Sequence, residues 1–367
     1  MQTRGALALA AAAAISLAVA IAATVSGGTP AADPLAGREV LPKVKPHLSD
    51  IAKAVLKHAG NTITLVRRGQ LWTVAEKSDY PANSQKMRDM LLALAQLSYV
   101  EPKTSRPELY SRLNLDDPSA PKSQSIEVDL YDANGGALGT VITGRRRVDE
   151  LGGGNDGIYV RIPGKAQTWL ARGNLDIDSD ITQWLDRRVV DIDDKRVKQA
   201  VLTGPDGATL TISRDKPEDK FALKELPAGG KLKSDTTLVE PATVLQALDL
   251  TDVKAAKDAK FPTEGVAKGT YTTFDGLTVA VETAKIGDTD WLRLTASSDG
   301  SDKAKAEADD LDKRWSPWVY GIAPYKATAI RTKLADVLQA PPATPPVPAP
   351  APAPGSGTSG APQPATK

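Results

Sequence analysis

The chain has 367 residues, 41% hydrophobic and 25% charged, which fits a globular body of about two domains and excludes a multi-span membrane protein or a wholly disordered chain. Lys plus Arg number 46 against 45 for Asp plus Glu, so no overall field draws the chain to nucleic acid. The absence of cysteine excludes disulfides, thiolate metal sites and a cysteine nucleophile.

At the N-terminus Arg4 precedes an uncharged run, residues 5–25, long enough to cross a bilayer as a helix. Residues 1–25 read as a retained signal anchor, or as a signal peptide cleaved near Ala18-Val19-Ala20 or Ala20-Ile21-Ala22. The expected location is therefore the inner membrane with the body on the periplasmic side, or the periplasm itself after cleavage. Residues 26–46, rich in Gly, Pro, Ala and charge, read as a tether.

In the body, residues 61–67 alternate apolar Ile63 and Leu65 with Thr62 and Thr64, as a half-buried strand does, and residues 71–74 carry Trp72 on a second strand. Met87, Met90, Leu91, Leu94 and Leu97 then fall at helical spacing. Strands are expected over residues 125–131, 137–143, 157–162 and 168–171, with Asn134-Gly135 as a hairpin turn. Asp180, three residues before Gln183, reads as the cap of a short helix ahead of Trp184 and Leu185.

The pattern then recurs at an offset of about 147 residues: 208–214 aligns with 61–67, and Lys220-Phe221-Ala222-Leu223 aligns with 71–74. Residues 237–248, with Leu238, Leu245 and Leu248, are the expected second helix, and 249–253 matches 96–100 at its end. Strands follow at 277–283 and 290–296, with Asp275-Gly276 as the turn before them. The fold class is α+β: two tandem β-β-α-β-meander repeats, antiparallel sheets each covered by a helix, the second copy less complete. The repeats span residues 47–195 and 196–338, and the Pro/Ala-rich tail, 339–367, is expected to be disordered.

Taken in order, Tyr80-Pro81, Thr104, Pro107-Glu108-Leu109-Tyr110, Leu113-Asn114-Leu115-Asp116-Asp117-Pro118, Tyr159-Val160-Arg161 and Trp184-Leu185-Asp186-Arg187-Arg188 resemble the domain-of-unknown-function 4340 family, over most of the body from about His47 to Leu338. The resemblance implies an exported or membrane-anchored bacterial protein, often encoded beside ABC transporter parts of the gliding-motility auxiliary type. It brings no established active-site residues. The tail and the charged stretch 299–314 fall outside the family pattern.

His47 and His58 are the only histidines and no Gly-x-Ser-x-Gly elbow occurs, which undersupplies both a serine triad and a catalytic zinc. Asp176, Asp178 and Asp180 have calcium-loop spacing, but Ile181 and Arg187 stand where the glycine and the glutamate belong. Gly152-Gly153-Gly154 leads into a strand and reads as a hairpin connection, and the adjacent Arg145-Arg146-Arg147, with Asp149 and Glu150, reads as a solvated loop. Asp116-Asp117, Asp193-Asp194 and Asp309-Asp310 read as turns and caps.

No cofactor, metal or nucleic acid is expected. The expected function is a non-enzymatic binding or scaffold subunit of the envelope, held to the membrane by the N-terminal segment, with a transporter-like complex as protein partner. The alternative is an envelope enzyme acting on glycan or peptide. Six of the aromatic residues are Trp. Trp72 and Trp169 are expected in the core, whereas Trp315, Trp318, Tyr320, Arg161 and Arg187 are the candidate partner contacts, because aromatic and Arg side chains concentrate interface energy.

Overall fold

A computed structural model describes residues 33–152 and 156–339. The expected membrane segment and, apart from Gln339, the Pro/Ala tail lie outside the described residues. Among the described residues no helix is long and apolar enough to cross a membrane.

The strands form two antiparallel sheets of nine strands each among the described residues. The first half supplies β1 (Ile51–His58), β2 (Asn61–Arg68), β3 (Leu71–Val74), β4 (Tyr80–Pro81), helix α1 (Ser84–Gln96), β5 (Ser98–Pro102), β6 (Ile126–Asp132), β7 (Ala137–Arg147), β8 (Gly157–Arg161) and β9 (Thr168–Arg172). Their order in the sheet is β4-β3-β2-β1-β6-β7-β8-β9-β5. The second half supplies β10 (Arg188–Val190), β11 (Val197–Thr203), β12 (Thr209–Ser213), β13 (Ala222–Leu223), α2 (Val239–Ala242), β14 (Leu248–Ala255), β15 (Ala267–Thr273), β16 (Leu277–Ile286) and β17 (Thr289–Ser298). Helix α3 (Asp302–Trp315), β18 (Trp318–Ile322), α4 (Pro324–Ile330) and α5 (Leu334–Val337) complete it. This sheet is ordered β10-β14-β18-β17-β16-β15-β11-β12-β13.

Local chemistry explains the elements that were legible. The alternation of β2 buries Ile63 and Leu65. The β6–β7 hairpin turns through Gly135 at φ 84°, a conformation that glycine adopts without a Cβ clash. Asn83 caps α1 by accepting the Lys86 N–H at 3.0 Å, and the helix sends Met87, Met90, Leu91 and Leu94 into the core. Each such side chain contributes about 1.5–3 kcal/mol by leaving water.

Three expectations change. The second helix shrinks from 237–248 to the four residues of α2: Ala247 turns at φ 46°, and Leu248 and Leu250 alternate with Asp249 and Thr251 as the start of β14. The tether does not extend to residue 46, because Val40, Leu41 and Val44 are buried and the preceding backbone pairs with β5, Gly37 N–H donating to Tyr99 O at 2.7 Å. The second half is also not the poorer one, since β14, β15 and β18 join it. The charged stretch near residue 300 is α3, capped by Ser301 and burying a narrow stripe of Ala304, Ala308 and Trp315 where it packs along β17 and β16.

One apolar cluster contains side chains from both sheets. A second, smaller cluster of Tyr110, Leu115, Ile142, Tyr159 and Leu170 forms where residues 103–125 cross the first sheet as a cover. The cover approaches β7 so closely that a Cβ on Gly144 would sit 2.3 Å from Leu113 O.

Candidate functional site

Most of the predicted contact residues gather at the joint between the sheets. Leu185 forms a bridge with Ala82, and Asp186 N–H donates to Pro81 O at 2.9 Å. One residue later this segment, a strap over residues 185–190, has changed partners: Leu250 N–H donates to Arg187 O at 2.9 Å, and β10 pairs with β14. The Tyr80 hydroxyl donates to Asp186 O at 3.1 Å, while its ring meets Trp318 edge-on at 5.0 Å and Tyr320 at 6.3 Å. Burial, and then the nearby Asp186 carboxylate, pushes the Tyr80 hydroxyl well above its ordinary pKa; burial followed by Tyr80 does the same to Tyr320. Both phenols therefore stay neutral.

The joint corrects the surface assigned to these residues. Trp315 and Tyr320 are each 1% exposed and belong to the core. Trp315 closes the apolar stripe of α3, and its indole N–H is satisfied by Val189 O at 3.1 Å, so it has no face left for a partner. Trp318 is half-buried against Tyr80. Arg187 is exposed, with its Nε 3.4 Å from Leu250 O. Arg161 lies apart from the other four: half-buried, it stacks 4.7 Å over the Tyr110 ring and donates to Leu115 O at 3.2 Å, clipping the cover to β8. The five therefore do not form one exposed surface. Trp169 is buried against Tyr99, as expected, and Asp180 caps the turn Ile181–Trp184 by accepting the Thr182 N–H at 2.9 Å.

A different feature faces solvent. A cleft of about 240 Å³ opens between α1 and the β2–β3 hairpin, with Leu48, Ile51, Trp72, Leu91 and Leu92 as an apolar floor and Arg67 and Arg88 at its rim. It shares Ile51 and Arg67 with a neighbouring cleft of about 610 Å³ that reaches His47, Asp50 and Asn134, so the two adjoin. Trp72 is half-buried, not enclosed, and Leu92 is 39% exposed. Arg67 is held in place by donating from Nε to Gly69 O at 3.2 Å and from Nη1 to Ser49 O at 2.9 Å. Arg88 donates to Gln85 Oε1 at 3.3 Å. Neither arginine has a carboxylate partner among the described residues.

In another cleft, lined by Gln85, Lys86, Asp89 and Arg146, both cations have carboxylate partners: Lys86 faces Asp178 and Arg146 pairs with Asp156. Arg67, Arg88 and Leu92 were not singled out from the sequence. The available signal was Leu92 itself, an apolar residue outside the buried stripe of α1 and one turn from Arg88.

The family described as Domain of unknown function (DUF4340) matches residues 72–268, more than half of the chain, from β3 to the start of β15. No curated protein matches it.

Proposed function

The chain belongs to the domain-of-unknown-function 4340 family, and from that premise we propose that it is an exported, non-enzymatic binding or scaffold subunit of the cell envelope, built from two copies of one α+β unit. The observation that carries this reading is where the family-like residues go. Tyr80, Trp184, Asp186 and Arg187 hold the two sheets together, and Tyr110, Leu115 and Arg161 hold the cover. Asn114, at φ 56°, ends the turn Pro107–Leu113 in the left-handed conformation that Asn tolerates better than most residues. Such residues are spent on fixing the shape of a body, which suits a scaffold.

The duplication is supported by more than the aligned strands. Read from β3, the first sheet runs β3-β2-β1-β6-β7-β8-β9-β5; read from β13, the second runs β13-β12-β11-β15-β16-β17-β18-β14, the same connections in the same order. β1 shifts register against β6 between Ile51 and Lys53, and β11 does so against β15 between Val197 and Gln199. Glu76 accepts the Thr64 N–H at 2.9 Å, and Glu225 accepts the Thr211 N–H at 2.7 Å. Arg161 over Tyr110 has a counterpart in Arg293 over Phe261, each pair 4.7 Å apart.

Export is supported by Arg4 ahead of the uncharged run at residues 5–25. The transporter-like partner rests on the family resemblance. Affinity purification of the tagged full chain from solubilised membranes tests the proposal, with ATPase and permease subunits expected to co-purify and the body expected to be digestible from the periplasmic side. A cytoplasmic body, or a chain that retains no protein partner, would sink it.

A further inference from the structure

We propose that the groove between α1 and the β2–β3 hairpin seats an extended segment of a partner protein that carries acidic side chains beside aliphatic ones, an inference that rests on the binding-subunit reading. The floor supplies a half-buried indole, Trp72, with Leu91 and Leu92 beside it, and the rim supplies Arg67 and Arg88. Half-buried aromatics flanked by arginines are the side chains that concentrate binding energy at interfaces.

Charge identifies the occupant. Arg67 spends Nε and Nη1 on the carbonyls of Gly69 and Ser49, which orients its guanidinium in advance without neutralising it. A pre-oriented cation loses little freedom when an anion arrives. The Arg88 side chain donates only to the neutral Gln85 amide among the described residues. Residues 1–32, 153–155 and 340–367 contain no aspartate or glutamate, and no carboxylate among the described residues pairs with either arginine. A segment of another protein supplies both the charge and the aliphatic side chains.

A protein segment also fits the far end of the groove better than an acyl chain does. There the lining turns polar, with Ser49, Asp132 and Asn134, and the Asp50 carboxylate, lowered in pKa by its hydrogen bond from His47 at 2.9 Å, stays ionised. Such a lining offers hydrogen bonds to a peptide backbone, which an acyl chain cannot use.

The test uses the purified full chain and a fluorescent decapeptide of alternating aspartate and leucine, read by anisotropy. Saturable binding is expected, weakened about tenfold or more by R88E, which alters an exposed helical residue, with preference shifting in that variant toward the matching lysine–leucine peptide. L92R adds positive charge but covers the apolar floor, and is expected to weaken binding as well. Equal affinity for the two peptides, or full affinity in both variants, would overturn the inference. So would phosphatidylglycerol vesicles that bind in an Arg88-dependent way while the peptide does not, which would assign the groove to lipid. In the membrane purification, a partner kept by R88E overturns the groove and leaves the binding-subunit reading intact. A wild-type chain that holds no partner overturns both.

Discussion

Replacing Gly144 by alanine probes how tightly the cover is seated on the first sheet. The added Cβ would lie 2.3 Å from Leu113 O, 2.8 Å from Asn114 O and 2.9 Å from Leu115 Cδ2, where real contacts essentially never fall below 3.0 Å. The cover backbone must therefore retreat by roughly 0.7 Å, and a backbone carbonyl cannot rotate aside as a side chain can. Retreat also stretches the Arg161 bond to Leu115 O and the Tyr110 hydroxyl bond to Ala166 O, now 3.2 and 2.6 Å. Overpacking of this kind costs about 1–3 kcal/mol. Gly139→Ala in the same strand is the control: its Cβ meets side-chain methyls of Leu41 and Val44 at 3.1 and 3.2 Å and no backbone atom, so a smaller cost than that of G144A is expected. Any gain from replacing a strand glycine is shared by both variants and cancels in the comparison. Urea unfolding reads the difference as a lower midpoint for G144A at unchanged slope. Equal midpoints for the two variants would refute the close seating of the cover.

Trp315→Ala should lose about 3–5 kcal/mol by emptying a buried site and removing one of the two donors to Val189 O, and an unchanged melting temperature would return Trp315 to the surface. Arg146, hydrogen-bonded to Asp156, holds that carboxyl below its ordinary pKa, so its contribution to stability is present above the ordinary value and is lost as pH falls through the lowered one. In R146Q the Asp156 titration followed by NMR should move up toward the ordinary value; identical titrations in the two proteins would remove Arg146 as the cause.

What could be read from the chain was whatever local pattern decides. The Asn134-Gly135 and Asp275-Gly276 turns, the α1 stripe and the alternation of β2 and β12 all follow from spacing within a few residues. β15 escaped because Ala267, Gly269 and Tyr271 on its buried side are separated by polar Lys268 and Thr270 and include a glycine with no side chain to register as apolar. In residues 237–248 the leucines suited a helix, but Pro241 and the β-branched Thr243 and Val244 leave only one turn of it, and packing drew Leu248 into a strand. The joint was illegible for another reason. Tyr80, Asp186 and the Trp315–Trp318 segment are brought together from positions more than a hundred residues apart, so no window of sequence shows that Trp315 finds its acceptor at Val189. The groove shares that difficulty, since Arg67 and Arg88 become neighbours only once α1 packs beside β3.

The strap at residues 185–190 makes the chain harder to divide than its internal resemblance suggests. It precedes the point where the second pattern begins, yet bonds to β4 at one end and to β14 at the other. A fragment cut at residue 195 would keep the strap but lose β14, and a fragment begun at 196 would expose the β14 backbone that β10 now pairs. Each half thus carries an edge that only the other half, or a substitute strand from elsewhere, can close. With one segment bonded to both sheets, neither half is expected to fold by itself.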